Sequence, residues 1–182
     1  MTPASAELEP AVSRTGLRTS VEADSLREVM SQFATGVTVL TVGGDHIHAM
    51  TANAFSSVSL APPTVLVSIA HSAVMYDAMT QGGHFGVNVL AAGQESLARH
   101  FADKKRTLGR AQFDDVQWEP GARTGAPLLA GALAWLECDV TDAHLSGDHT
   151  IFVGTVLDCR RGGDDAALTF FDGKFDRALR AA

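Results

Sequence analysis

Met50-Thr51-Ala52-Asn53-Ala54-Phe55-Ser56-Ser57-Val58-Ser59-Leu60-Ala61-Pro62-Pro63 sets short hydroxyl and amide side chains into a run that otherwise reads as strand, and ends it at a double proline. A core strand carries branched or aromatic residues at most positions, and an ordinary loop is less apolar than Phe55, Val58 and Leu60 make this one. Thr51, Asn53, Ser56, Ser57 and Ser59 supply donors and acceptors, while Ala52 and Ala54 leave room for a flat ligand against the backbone. From the residues alone two readings stand: a polar edge strand followed by a turn, or a segment that lines a ligand site.

Upstream, Leu26, Val29, Met30 and Phe33 make one apolar stripe, and Ser25 with Glu28 has capping-box spacing. This predicts a helix that starts near Asp24 or Ser25 and is ended by Gly36. Val37–Val42 is rich in β-branched residues and predicts a strand. Gly43-Gly44-Asp45 is turn chemistry, so His46–Ala52 is expected to pair back as a hairpin. Downstream, Thr64–Ala70 is nearly all apolar, the pattern of a strand buried on both faces. Ser72 opens a short helical pattern through Val74, Met75 and Met79, closed by Gly82-Gly83. A strand over Phe85–Leu90 and a helix over Gln94–Phe101 follow, then an irregular stretch from Ala102 to Gly125. Leu133–Ala143 and His149–Arg160 read as two long strands joined at Leu145-Ser146-Gly147-Asp148, and Ala167–Phe171 closes the chain before a turn at Gly173. Six or more strands with only short helices predict a mainly β protein, an antiparallel barrel, over a doubly wound sheet. No G-x-G-x-x-G follows a strand, so a Rossmann dinucleotide cradle is excluded.

The length of 182 residues fits one domain, expected over residues 23–178 behind an N-terminal tail over 1–22 that has no apolar signal-peptide core. A net charge of −7 argues against a nucleic-acid-binding surface, and no apolar run is long enough to span a membrane. Cys138 and Cys159 are far apart, in no C-x-x-C, and lie in apolar strand-like runs. Buried free thiols in a cytoplasmic protein are the expectation. His46 and His48 would share a strand face, a spacing that can bind metal, but with no third ligand identifiable no metal site is expected. Lys104-Lys105-Arg106 is the one dense basic run, read as a solvated helix end or as a partner for a cofactor phosphate.

The stretch from Thr51, T-A-N-x-F-x-S-V-S-x-x-P-P, resembles the flavin-contacting signature of the short-chain flavin reductases, the reductase components of two-component flavin-dependent monooxygenases. Phe33-Ala34-Thr35-Gly36-Val37-Thr38-Val39 is similar to that family's opening motif, and Gly86-Val87-Asn88-Val89-Leu90, Arg99-His100-Phe101-Ala102, Gly147-Asp148-His149 and Leu168–Phe175 follow in the family's order. The likeness spans residues 24–176. It implies an FMN-binding split β-barrel, a homodimer, and transfer of hydride from NAD(P)H to FMN or FAD for delivery to a flavin-dependent monooxygenase. The lack of an evident arginine for a 2′-phosphate leans toward NADH. The resemblance further implies flavin contacts from Thr51, Ala52, Asn53, Ala54, Ser56 and Ser57, and from Asn88 and Val89. It places His149 near the nicotinamide, as the catalytic residue, and the Phe171–Gly173 turn beside it.

Taken as chemistry, Ser72 at a helix start joins a hydroxyl to an N-terminus, which suits phosphate, and equally suits a plain N-cap. Asn88 lies between apolar strand residues and needs a buried partner, either a backbone carbonyl or the flavin. His149 opens a strand after a turn, where it can bond its own turn or serve a ligand. His71, beside Ser72, is a candidate for the flavin tail. Three further readings compete with the reductase: a corrin or ferric reductase on the same barrel, a non-catalytic flavin-binding module, and a plain barrel-forming interaction protein that binds no flavin.

Overall fold

The computed structural model describes residues 21–163 and 166–178, so the tail expected over 1–22 lies almost wholly outside the described residues. Helix α1 (Ala23–Ser31) leads into strands β1 (Thr35–Gly36), β2 (Thr38–Val42), β3 (His48–Ala52), β4 (Phe55–Leu60) and β5 (Pro63–Ala70). Then come α2 (Val74–Gly82), β6 (His84–Val89), α3 (Glu95–Ala102), β7 (Trp118–Pro120) and β8 (Pro127–Leu129). The long hairpin β9 (Ala134–Ser146) and β10 (His149–Arg161) and the short hairpin β11 (Ala167–Phe171) and β12 (Lys174–Ala178) complete the chain.

Seven strands form one antiparallel sheet in the order β3-β2-β6-β9-β10-β5-β4. Its two edge strands, β3 and β4, are consecutive in sequence and joined only by Asn53 and Ala54. Two residues cannot cross a flat seven-stranded sheet, whose strands are ~4.8 Å apart, so the sheet must curl until its edges meet. Among the described residues the edges do not pair with each other. The result is a barrel split between β3 and β4, with the split falling on the Thr51–Ser59 stretch.

Two cores flank the wall. Leu40, Val42, Val67, Ile69, Met79, Phe85, Val87 and Phe152 fill the barrel, together with Met75 of α2. Val37, Val39, Leu90, Phe101, Phe113, Leu129 and Leu168 pack on the outer side under α3. Every residue of β2 is therefore buried, its alternate side chains serving one core and then the other. The doubly buried strand is β2 and not β5. In β5 only Val65, Val67 and Ile69 face the interior, while Leu66, Ser68 and Ala70 are half-buried on the outer face.

Three local expectations need correction. Helix α1 begins at Ala23, is preceded by Glu22 with no side-chain cap, and ends before Gly36, so Ser25 lies inside it. Its stripe of Leu26, Val29, Met30 and Phe33 faces outward, with Val29 68% and Phe33 66% exposed. Cys138 is buried, and burial pushes its thiol up to about 12, but Cys159 is exposed. His46 and His48 do not share a face, because His46 ends a 3-10 turn and His48 is buried at the start of β3.

Candidate functional site

The link between β3 and β4 separates two clefts, and Asn53 lines both. The smaller, about 170 Å³, is walled by Val37, Thr51, Ala52, Ala102, Phe170 and Phe175. The Thr51 hydroxyl donates to the Ala98 carbonyl at 2.7 Å and so ties the end of β3 to α3. The larger cleft, about 410 Å³, is lined by Ala54, Phe55 and Ser56 of the predicted stretch, by Met30, Phe33 and Thr35 before it, and by Leu66 and Ser68 of β5. Ser68 belongs here because its N–H donates to the Ala54 carbonyl at 3.1 Å, which fixes β5 against the link. Aromatic and aliphatic walls, short polar side chains and no charged group make this a slot for a flat, polar-edged molecule.

His149 lines neither cleft but stands near the larger one. It pairs with Ala70 across β5, just as Ile151 pairs with Ser68 and Val153 with Leu66. Paired residues point to the same side of a sheet, so His149 shares the outer face with the two β5 residues of the cleft. One strand over and two residues along from Ser68 puts it roughly 8 Å away between Cα atoms. Its ring is 43% exposed, and Nδ1 meets Asp148 Oδ1 at 2.7 Å. The hydrogen bond from His149 holds the Asp148 carboxyl below the usual carboxylate range. The turn itself is clamped to β5, since the Asp148 carbonyl accepts from the His71 N–H at 2.9 Å. His71 is not turned toward the clefts: its Nε2 meets Thr150 Oγ1 at 3.0 Å and its ring packs on Tyr76.

Several expected contacts lie elsewhere. Asn88 is fully buried in β6 and spends its amide on the protein: Nδ2 donates to the Val39 and Pro127 carbonyls, and Oδ1 accepts from the Leu129 N–H at 2.7 Å. Its side chain is a brace between β2, β6 and β8 and lines neither cleft. Val89 beside it pairs with Thr38 and Ala134 in the sheet and lines neither cleft. Ser57 pairs with Val65 on β4, exposed and outside both clefts. Ser72 is exposed one residue before Ala73, which takes the N-cap position of α2, so it caps nothing. Phe171 ends β11 and Lys174 begins β12, and between them Asp172 and Gly173 form a tight turn, both with positive φ. That turn grips α1: the Asp172 N–H donates to the Ser31 carbonyl, and Gln32 Nε2 donates to Asp172 Oδ1. The neighbouring Phe170 and Phe175, not Phe171, reach the small cleft.

The basic run divides. Arg106 folds inward, donating to the Ala49 and Asp103 carbonyls and facing His48 Nε2 at 3.3 Å, so its charge is not turned toward a phosphate. Burial, aided by that guanidinium, pulls His48 down to about 4. Lys104 and Lys105 are exposed just beyond Ala102 of the small cleft. A third cleft, about 570 Å³, lies at the other end of the β9–β10 hairpin around Trp118 and Trp135. Arg160 there stacks on Trp135 and is paired with Glu119. The site residues that the sequence left unassigned are Met30, Phe33, Thr35, Leu66 and Ser68. Phe33 and Thr35 lie in the stretch likened to the family's opening motif, Met30 and Phe33 in the apolar stripe of the first helix, and Ser68 is a lone hydroxyl within V-L-V-S-I-A.

Fold and cleft together define a split-barrel protein with an uncharged cleft at its open seam. The chain belongs to the flavin reductase like domain family, whose model matches residues 30–179. An NADH-dependent FAD reductase of Streptomyces globisporus is 50% identical over 152 residues, 84% of each chain. The structure of BorF, the flavin reductase component of a bacterial two-component tryptophan halogenase, superposes with a TM-score of 0.84 at 49% identity, covering 88% of this chain and 100% of that one. SgcE6, an NADH:FAD oxidoreductase of Streptomyces globisporus C-1027 in complex with NAD and FAD fragments, gives a TM-score of 0.81 at 47% identity, with 87% and 94% covered.

Proposed function

We propose that this chain is an NAD(P)H-dependent flavin reductase that binds FAD or FMN at the barrel seam, takes NADH as its hydride donor and releases reduced flavin to a partner oxygenase or halogenase. The observation that carries the reading is the uncharged cleft at the β3–β4 split, on the same sheet face as His149. Bound flavin would supply the redox chemistry, accepting the hydride at its ring. The chain's own residues hold and screen that ring. Phe55, Leu66, Met30 and Phe33 offer apolar faces, and Asn53, Ser56 and Ser68 offer short donors and acceptors to its edge. Lys104 and Lys105, exposed just beyond Ala102 of the small cleft, are candidate partners for a phosphate. His149, with Nδ1 committed to Asp148, keeps Nε2 available to orient the nicotinamide.

The apolar stripe of α1, which also walls the cleft through Met30 and Phe33, is the face a second copy of the chain would cover. The working form is therefore a homodimer.

The test is loss of nicotinamide absorbance with FAD, FMN or no added flavin. Turnover that saturates with flavin supports the reductase. Flavin binding without NADH oxidation supports a non-catalytic flavin module, and turnover only with a cobalt or ferric acceptor supports the corrin or ferric reductase.

A further inference from the structure

Beside the two-tryptophan cleft, at the end of the β9–β10 hairpin away from the seam, lies a notch of about 190 Å³ that flavin reduction does not use. The two hollows share Glu119, Leu128, Trp135 and Arg160. Glu137 of β9 and Asp158 of β10 both line the notch. They are partners in the sheet because the register shifts at Leu157, a bulge that turns Asp158 to the side of Glu137. Partners of this kind hold their Cβ atoms roughly 5 Å apart, which is unfavourable for two like charges. Arg160 is the one cation in the lining. It is already engaged, paired with Glu119 and stacked 4.7 Å from the centre of the Trp135 ring.

Glu137 is the more telling of the two, because it is only 3% exposed and a carboxylate so buried ordinarily has both oxygens satisfied. Its Oε2 accepts from the Arg123 N–H at 2.9 Å, the Thr124 N–H at 2.7 Å and the Thr124 hydroxyl at 2.8 Å. Its Oε1 accepts from no described residue. Nor is Oε1 sealed: among the described residues the unpaired side-chain atoms closed to solvent are Thr35 Oγ1 and Arg106 Nε. One oxygen of a buried carboxylate therefore opens, unpaired, onto the notch.

The geometry points to a binding site for a small organic cation. An amidinium, guanidinium or primary ammonium sits between Glu137 Oε1 and Asp158, and its flat apolar body lies on Leu128 and Trp135 toward the larger cleft. N–H donors match a carboxylate pair in both charge and direction, and the indole offers a flat wall. A bare metal ion matches less well, since among the described residues no three His, Cys, Asp or Glu side chains converge to hold one. The site goes beyond the reductase reading and does not depend on it.

The probes are benzamidine, a flat amidinium, and benzamide, its neutral counterpart of the same shape. Each is titrated into the full chain by calorimetry and followed at the indole N–H signals of the chain's 2 tryptophans. Benzamidine is expected to bind in about the millimolar range, roughly tenfold tighter than benzamide, and to shift the Trp135 signal. Asp158→Asn should weaken benzamidine by about fivefold. That variant should melt at the same temperature or higher, because one of two opposed charges is gone, and should oxidise NADH with flavin like wild type. Saturating FAD should leave benzamidine affinity within about twofold, because the notch and the seam are far apart. The proposal is overturned by no binding at about 10 mM benzamidine, by equal binding of benzamide, by an Asp158→Asn variant that binds benzamidine like wild type, or by displacement of benzamidine by FAD. Binding of a capped arginine tripeptide about tenfold tighter than benzamidine would also overturn it, assigning the notch to a basic side chain of another protein. Failure of wild-type protein to oxidise NADH would bring down the reductase reading and leave this site untouched.

Discussion

Replacing Asn88 by leucine separates a structural amide from a flavin contact. In the folded protein the Asn88 side chain makes three good hydrogen bonds: Nδ2 to the Val39 carbonyl at 3.0 Å and the Pro127 carbonyl at 3.3 Å, and Oδ1 from the Leu129 N–H at 2.7 Å. Leucine keeps the approximate volume but offers no polar atom. The Pro127 carbonyl still accepts from the Thr41 hydroxyl, so its loss is minor. The Leu129 N–H is left without its partner in a strand where every residue is buried, at a cost of about 2 kcal/mol. The bond to Val39 adds about 1 kcal/mol. A total near 3 kcal/mol is a large share of a typical domain's stability and lowers the melting temperature by about 10 °C in a chain of this size. Urea titration followed by tryptophan fluorescence reads the loss directly. Flavin affinity of the folded variant, measured well below the transition, is expected to stay within about twofold of wild type. A variant as stable as wild type that no longer binds flavin would refute the reasoning and restore Asn88 to the cofactor.

Acid should destabilise the protein through His48, whose folded pKa of about 4 lies below its ordinary 6.5. The unfolded chain takes up a proton first as pH falls, so this contribution is complete above 6.5 and shrinks by about 2 kcal/mol on going to about pH 5. His48→Gln should flatten the pH dependence of the urea midpoint over that window, and an unchanged slope would count against it. Asp148→Asn removes the carboxylate that fixes the His149 ring. It should cut kcat/KM for NADH by about fivefold or more and change the acidic limb of the pH profile, while flavin affinity stays constant. Because the Asp148 carboxyl is held below its usual range, the pairing should persist at pH values where ordinary carboxylates are protonated and be lost only as pH falls through the depressed value. Glu137→Gln should loosen the 121–125 loop, since buried Glu137 Oε2 accepts from the Arg123 N–H, the Thr124 N–H and the Thr124 hydroxyl. Faster amide exchange at Arg123 and Thr124, with unchanged NADH turnover, is the expected result.

Most of the barrel is legible in the chain because its strands announce themselves locally. Val37–Val42, the β9–β10 pair around Gly147-Asp148 and the Phe171–Gly173 turn all have the residue types their conformations need. The errors fall where burial is decided by distant partners. β5 looks doubly buried from its apolar run, yet its outer face borders a cleft that forms only when β4 folds beside it and the seam closes. The stripe of α1 has core periodicity but meets no core in a single chain. Ser72 fails as a cap by one residue, the usual margin at helix ends. Asn88 is the instructive case. Its sequence context demanded a buried partner, and a backbone carbonyl and the flavin satisfied that demand equally well on paper. The choice depended on β8, a three-residue strand that no periodicity could reveal.

The same logic explains why the proposed site falls at the seam. Closing the barrel with a two-residue link leaves the edges of β3 and β4 unpaired with each other, and an unpaired edge is normally a liability. Here α1, β1 and the β11–β12 hairpin stand against that gap, and their side chains turn it into two walled clefts. Asn53 touches both because it is the link. Branched or aromatic residues at Ala52 or Ala54 would fill the clefts, which is why small residues stand in a segment that otherwise reads as strand. Longer polar side chains at Ser56 or Ser68 would reach across the slot. The composition that makes Thr51–Ser59 a poor core strand is thus what keeps the seam open to a ligand.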